Sequence, residues 1–326
     1  MQTFTAFRLH AGQDVPERSF DTLMIDDLSP GEVVIRVAYS SINYKDALAS
    51  RGLNAIIRAH PRIGGIDLTG TVEESSDTRF RSGDEVVVHG FGIGVDHDGG
   101  HAQFARVRAD WVMRIPEGLS LFDAAVIGAA GYTAGLSLHL MELNGLAPEK
   151  GPVLVDGATG GVASVAIDML SRRGYHVTAM TGKTTENNYL SQLGATTIIG
   201  RLSETASPRP LEKGQWAGAV DSVGGATLAW LTRTMQAEGV IAAFGNAGGA
   251  DLATTVLPFI LRGVRLIGIN ANSPMPLREL VWKKIATEYR PASLEKIANV
   301  IALQELPTYL DRALEGRVRG RTVVQM

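Results

Sequence analysis

The stretch Val153-Leu154-Val155-Asp156-Gly157-Ala158-Thr159-Gly160-Gly161-Val162-Ala163 limits the possible folds more than any other part of the chain. It reads as a short buried strand, a tight glycine turn and the start of a helix. Such a turn brings backbone N–H groups close to a pyrophosphate, and the helix N-terminus places partial positive charge behind them. A glycine-rich turn alone is weak evidence, but here both neighbours fit. Val153–Val155 is apolar enough for a parallel strand, and Ser164–Arg173 continues helically with Val165, Ile167, Met169 and Leu170. Ala163 fills the last small-residue position, where helix and strand pack closely.

The next strand, Tyr175-His176-Val177-Thr178-Ala179-Met180, bears on which dinucleotide is bound. Its end lies about 20 residues past the turn, where an acid usually reads the ribose. Thr181, Gly182 and Lys183 stand there instead. A carboxylate would bond a free 2′-hydroxyl and repel a 2′-phosphate; a hydroxyl and an ammonium do the opposite. NADPH is therefore favoured over NADH. Arg201, after the strand-like Thr197–Ile199, supplies a second cation. Either cation also reads as an ordinary solvated loop charge.

The 326 residues suit two domains rather than one. A formal charge of −3 argues against a general nucleic-acid binder, which needs a basic surface. There is no cysteine, which excludes disulfides, Fe–S clusters, Cys-ligated zinc and Cys nucleophiles. A redox function must then come from a bound cofactor. The start, Met1-Gln2-Thr3-Phe4-Thr5-Ala6-Phe7-Arg8, has no basic-then-apolar signal pattern, and no charge-free apolar run reads as a membrane span. The expectation is a cytoplasmic protein without membrane attachment.

The first third is β-rich, with strands expected at Val33–Tyr39, Ile63–Val72, Glu85–His89, Phe104–Val107 and Trp111–Ile115. Helical patterns follow at Leu121–Ile127 and Tyr132–Asn144. Strand and helix then alternate from Val153 to Ile269, the βαβ rhythm of a doubly wound parallel sheet. Beyond it the pattern predicts helices at Leu277–Tyr289, Ser293–Ala302 and Tyr309–Glu315, and a last strand Arg321–Gln325. This tail is expected to return to the first domain.

A β-rich domain followed by a Rossmann domain, with the chain end returning, resembles the medium-chain dehydrogenase/reductase superfamily. It looks like the zinc-free, quinone-oxidoreductase-like branch: Gly65-Ile66-Asp67 stands where the zinc branch has Gly-His-Glu, so no metal is expected. Ser40-Ser41-Ile42-Asn43-Tyr44-Lys45-Asp46, Gly65-Ile66-Asp67-Leu68-Thr69-Gly70-Thr71-Val72, Trp216–Gly224, Thr255–Arg262 and the ending Gly320-Arg321-Thr322 resemble the NADPH-dependent acrylyl-CoA reductase family in particular. The implied α/β architecture is a GroES-like catalytic domain over 1–123 and 271–326 and a Rossmann NADPH-binding domain over 124–270.

The resemblance implies reduction of acryloyl-CoA to propanoyl-CoA with NADPH, by a homodimer. Edge strands such as Val264–Ile269 often pair across such a two-fold. It implies that Tyr44 contacts the cofactor near the nicotinamide and that Thr159, Gly160, Gly161 and Val162 cradle the pyrophosphate. Thr181, Gly182, Lys183 and Arg201 would hold the 2′-phosphate, with backbone near Asn246 and Leu261 bordering the nicotinamide end. The chain departs from the family at Lys183, where an arginine is common, at Asn270-Ala271-Asn272, around Glu315-Gly316 and after His97.

For the chemistry, a hydride attacks the β-carbon of an electron-poor alkene and negative charge collects on the thioester oxygen. Tyr44 is the first candidate for a polar group beside the reaction, as proton donor or as packing. Asn43 would bond the carbonyl or cap the helix beginning near Tyr44. Asp67 would accept from Lys45 or Tyr44, or serve as a structural acceptor at a strand end. His97 reads as part of a closing loop or as a plain surface histidine. Arg58 and Arg62 read as CoA-phosphate ligands or as solvated charges. Two further readings stay open: a quinone or 2-alkenal reductase of the same branch, and a non-catalytic NADPH-binding redox sensor.

Overall fold

The computed structural model describes residues 3–202 and 209–326. The chain divides into two compact units. The first comprises Met1–Ala130, Asn272–Glu279 and Leu294–Met326, and the second Gly131–Ala271 and Leu280–Ser293.

In the first unit the chain runs through β1 (Thr3–His10), β2 (Glu17–Met24), β3 (Val33–Ile42), α1 (Tyr44–Ser50), β4 (Arg62–Ile63), β5 (Asp67–Ser75), β6 (Glu85–His89), β7 (Phe104–Val107) and β8 (Met113–Arg114). The expected strand Ile63–Val72 is divided. Gly65, at φ 95°, turns the chain so that β4 pairs with β1 while β5 pairs with β3. The Trp111–Ile115 strand shortens to β8, because Ala109–Trp111 closes a 3-10 turn. β1 and β2 were not singled out from the sequence: β1 buries Phe4 and Ala6 on one face and Phe7 and Leu9 on the other, so it lacks a single alternating face.

α2 (Leu121–Leu143) carries the chain into the second unit, merging two expected helices across a break at Gly128 (φ 46°, ψ −152°). It also corrects the expectation about apolar runs: α2 is long and apolar enough to cross a membrane. Its most apolar window is 78% buried inside the protein, as a core helix would be.

The second unit follows the expected alternation: β9 (Val153–Val155), α3 (Gly161–Arg172), β10 (Val177–Met180), α4 (Asn187–Gln192), β11 (Thr197–Ile199), β12 (Trp216–Asp221), α5 (Gly225–Thr234), β13 (Met235–Ala243), α6 (Leu257–Arg262) and β14 (Arg265–Gly268). The six strands are parallel in the order β11-β10-β9-β12-β13-β14, so the chain reverses direction across the sheet between β9 and β12. Ligands of such sheets bind at the carboxyl ends of the strands at this switch point.

The tail holds α7 (Met275–Ala286), α8 (Leu294–Ile297), β15 (Ala298–Ala302), α9 (Leu306–Leu314) and β16 (Arg321–Gln325). The helix expected over Ser293–Ala302 is one turn only. Ala298–Ala302 instead pairs parallel to β16, with β-branched Val300 and Ile301 suited to a strand. β16 in turn pairs with β3, giving a seven-stranded sheet. The return of the tail is also interrupted. Leu280–Ser293 belongs to the second unit, held by the Tyr289 hydroxyl donating to Glu142 (2.8 Å) and by the N–H groups of Ala292 and Ser293 donating to Asp168 (2.8 and 2.9 Å).

Candidate functional site

In the second unit, three loops stack at the carboxyl edge of the sheet. After β9 the chain turns at Gly157 (φ 51°) and enters α3, with Gly160 at its N-cap. A Cβ on Gly157 would lie 2.2 Å from the Ser222 hydroxyl, and one on Gly245 would lie 2.0 Å from the Ser222 carbonyl oxygen. The Gly248 N–H donates to the Val223 carbonyl at 2.7 Å, so the Asn246 turn leans on the loop after β12. Backbone takes the place of side chains throughout. Thr159, Gly160, Gly161 and Val162 stand at this helix start, where the Gly160 N–H closes the turn on the Gly157 carbonyl (2.8 Å) and the first helical N–H groups, from Gly161 onward, have no partner of the i−4 kind within the helix.

At the ends of β10 and β11 the structure brings Thr181, Gly182, Lys183 and Arg201 together. The Lys183 N–H donates to the Thr181 hydroxyl at 3.0 Å. Gly182 lies against Arg201, whose Nε would be 2.8 Å from a Cβ there. Burial lowers the Lys183 pKa, Arg201 lowers it further, and Glu186 opposes the shift. Two like charges held side by side on neighbouring strand ends suit a dianion between them. Leu261 stands apart from these loops. It is 64% exposed on α6, whose end is tied to the amino half of β13 by Arg262 donating to the Met235 carbonyl (2.8 Å). Its expected place beside the nicotinamide gets no support from this position.

The other candidates lie in the first unit. Tyr44 opens α1, is 49% exposed, and its hydroxyl bonds to nothing among the described residues. Asn43 precedes it: its amide donates to Asp67 (3.0 Å), its carbonyl oxygen accepts from Arg321 (3.1 Å), and its N–H donates to Asp46 (2.8 Å). Asp67 is 2% exposed and does not accept from Lys45 or Tyr44. Its donors are Ser41, Asn43, Arg321 (3.3 Å) and the Ala129 N–H (3.0 Å) that the Gly128 break sets free. The structural reading of Asp67 is the one its surroundings match, and it positions Asn43 immediately before Tyr44.

Asp46 shares this network. Burial and the charge of Asp67 push its carboxyl up to about 7, against the N–H groups of Asn43 and Ile66. Nearby His101 is fully buried, and desolvation lowers it to about 4, leaving it neutral at physiological pH. Asp46, His101, Ser41 and Arg321 were given no role from sequence. An arginine inside the apolar strand pattern of Arg321–Gln325 was the available signal. His97 is not a plain surface histidine: it is buried, with Nε2 2.8 Å from the Arg106 carbonyl oxygen and its ring against Trp111. Arg62 is ion-paired to Asp98 at 3.3 Å and is therefore not available to a phosphate, whereas Arg58 is exposed. Asn272 accepts the Phe91 N–H at 3.2 Å. Among the described residues no group of three or more His, Asp or Glu converges on a point that could hold a metal.

A GroES-like unit joined to a six-stranded, doubly wound sheet with glycine loops at its carboxyl edge defines the dehydrogenase/reductase class. A profile of the alcohol dehydrogenase GroES-like domain matches residues 29–117. Acrylyl-CoA reductase AcuI of Ruegeria pomeroyi is 46% identical over 307 residues, 93% of each chain. YhfP of Bacillus subtilis (strain 168), provisionally named a quinone oxidoreductase, is 44% identical over 326 residues, 99% of each. The crystal structure of the yhdH oxidoreductase from Salmonella enterica in complex with NADP matches with a TM-score of 0.96 and 42% identity over 99% of both chains. That of Bacillus subtilis yhfP with NAD bound matches with a TM-score of 0.96 and 44% identity over the whole of both. The chain belongs to the medium-chain dehydrogenase/reductase superfamily, in its quinone-oxidoreductase-like branch.

Proposed function

We propose that this protein is an NADPH-dependent reductase of the activated C=C bond of a short enoyl thioester, converting acryloyl-CoA to propanoyl-CoA. The observation that carries the reading is 46% identity across 93% of an acrylyl-CoA reductase. It is supported by two cations in place of a ribose-reading acid. The residues present fit the coenzyme: glycine at 157 and 245, where a side chain would collide with Ser222, lets the loops pack closely behind the start of α3, and Gly160 at its N-cap has only the Gly157 carbonyl oxygen (3.1 Å) near the place of a Cβ.

When bound, NADPH supplies the hydride to the β-carbon, and enolate charge appears on the thioester oxygen. The segment Thr159–Val162 would hold the pyrophosphate at the start of α3, through the main-chain N–H groups of Gly161 and Val162, since that of Gly160 closes the turn on Gly157. Lys183 and Arg201 hold the 2′-phosphate, with Thr181 fixing the Lys183 backbone. Asn246 borders the nicotinamide end. Tyr44 offers an unbonded phenol to the substrate, oriented through Asn43 and the Asp67–Arg321 pair.

The exposed apolar residues Val256, Ile260 and Leu261 lie at and beside α6, whose chain continues into the edge strand β14. An unpaired edge flanked by apolar side chains suits a second copy of this chain, so a homodimer is proposed.

NADPH oxidation followed with acryloyl-CoA and with a simple quinone tests the assignment. Preferred turnover of acryloyl-CoA is expected. Equal or better turnover of the quinone would favour the activity for which YhfP is named. Tight NADPH binding without turnover of any activated alkene would favour the sensor.

A further inference from the structure

Two buried acids sit under the glycine turn and have no part in the reading above. Asp156 follows β9 directly and Asp221 ends β12, the neighbouring parallel strand, and both are wholly buried. One Asp156 oxygen accepts the Ser222 N–H (2.7 Å) and hydroxyl (3.0 Å). Asp221 accepts the N–H of Gly224 at 3.0 and 3.2 Å, with Val223 as a further main-chain donor. No lysine, arginine or histidine donates to either carboxyl among the described residues. The other Asp156 oxygen is buried without a donor, and the side-chain partner beside it is Asp221. Two carboxylates cannot bond one another without a proton between them. Burial and the second acid hold Asp156 well above the usual carboxylate range, and burial raises Asp221 as well.

We propose that Asp156 and Asp221 hold one proton between them, and that this proton positions the dinucleotide loops. The inference rests on the NADPH site proposed above. The shared proton ties the loop after β9 to the loop after β12 and keeps the charge beneath the pyrophosphate at one unit. Ser222 is the contact that transmits it. Its N–H and hydroxyl both bond Asp156, and its hydroxyl lies where a Gly157 side chain would begin. Losing the proton sets two carboxylates against each other, displaces Ser222 from Gly157 and adds a negative charge below an anionic ligand.

NADPH titrations of the wild type, Asp156→Asn and Asp221→Asn across the neutral to alkaline range test this. Each amide is isosteric with a protonated acid and keeps the pair at a single charge. Lys183 and the 2′-phosphate titrate alike in all three proteins, so the ratio of wild-type to variant affinity isolates the pair. At neutral pH the variants should bind within about two-fold of wild type, and in alkali the wild type alone should lose about ten-fold. Infrared spectra of the wild type should show a protonated-carboxyl band that outlasts the ionisation of Asp46, disappears over the same alkaline range as the affinity, and is absent from Asp156→Asn. A constant affinity ratio together with no such band would overturn the shared proton. Absence of NADPH uptake by the wild type at every pH would instead overturn the site, and the infrared band would still decide the proton.

Discussion

Arg321 and Asp67 meet at 3.3 Å with both side chains shut away from water, although 254 residues of chain separate them. The guanidinium also donates to the carbonyl oxygens of Val126 (3.0 Å) and Ile42 (3.2 Å), so the pair is surrounded by filled hydrogen bonds. A buried pair of this kind is costly to break from one side, because the survivor keeps its charge. Arg321→Met should lower the unfolding free energy by about 3–5 kcal/mol, with Arg321→Met/Asp67→Leu recovering part of the loss. Urea unfolding of the three proteins measures it. A single mutant within experimental error of wild type would show the pair to be inert.

Lys183 and Arg201 should act on the phosphorylated coenzyme alone. Lys183→Ala is expected to weaken NADPH binding by about ten-fold and to leave NADH within about two-fold. Because burial and Arg201 already lower its pKa, Lys183 sheds its proton earlier in alkali than a free lysine. The NADPH-to-NADH affinity ratio should therefore fall at high pH in the wild type and stay flat in the variant. Calorimetric titration with both coenzymes reads this directly.

Two glycines separate the two halves of coenzyme recognition. Gly182→Ala pushes only on the flexible Arg201 side chain, and should cost NADPH about three- to ten-fold while sparing NADH. Gly157→Ala meets the Ser222 hydroxyl at a positive φ, costs about 1–3 kcal/mol of backbone strain, and should impair both coenzymes and lower Tm. Equal effects of the two substitutions on NADH would contradict this division.

Asp46 links stability to pH in the acid direction. Its folded pKa of about 7 lies above the ordinary unfolded value of about 3.9, so the folded protein binds the extra proton. This contribution is complete below the unfolded value and is lost as the pH rises through 7. The stability of wild type relative to Asp46→Asn should fall by roughly 2 kcal/mol from about pH 5 to about pH 7. Chemical unfolding at both pH values checks the sign.

Ile260→Asp places a charge in the exposed apolar strip beside the β14 edge. The expected result is a monomer by sedimentation with coenzyme binding unchanged, since α6 lies apart from the glycine loops. A wild type already monomeric at high concentration would refute the homodimer.

Much of this was legible in the sequence, and the reasons differ by element. Val153–Val155 and its glycine turn carry local signals, apolar run and small residues, that survive any tertiary setting. Lys183 was readable because its distance from the turn is fixed by one βαβ unit. Ala298–Ala302 was misread as helix because a five-residue apolar pattern fits either period, and its partner β16 lies about 20 residues further on. Asp67 was readable as a structural acceptor at a strand end, but not its donors: in place of Lys45 or Tyr44, partners arrive from as far as Ala129 and Arg321. Asp156 gave no signal at all, since its significance depends on Asp221 standing one strand away.

The place of β16 has a consequence for biosynthesis. It lies between β3 and β15, inside the first unit's sheet, yet it is synthesised after the whole parallel sheet of the second unit. The nascent N-terminal 130 residues must wait, with Asp67 lacking its counter-charge, while the contiguous parallel sheet from Val153 to Gly268 can already assemble. Translation order is thus inverted at this protein. The earlier-made strands wait for later-made ones, and chains stalled before β16 carry an open β3 edge that invites chaperones or aggregation.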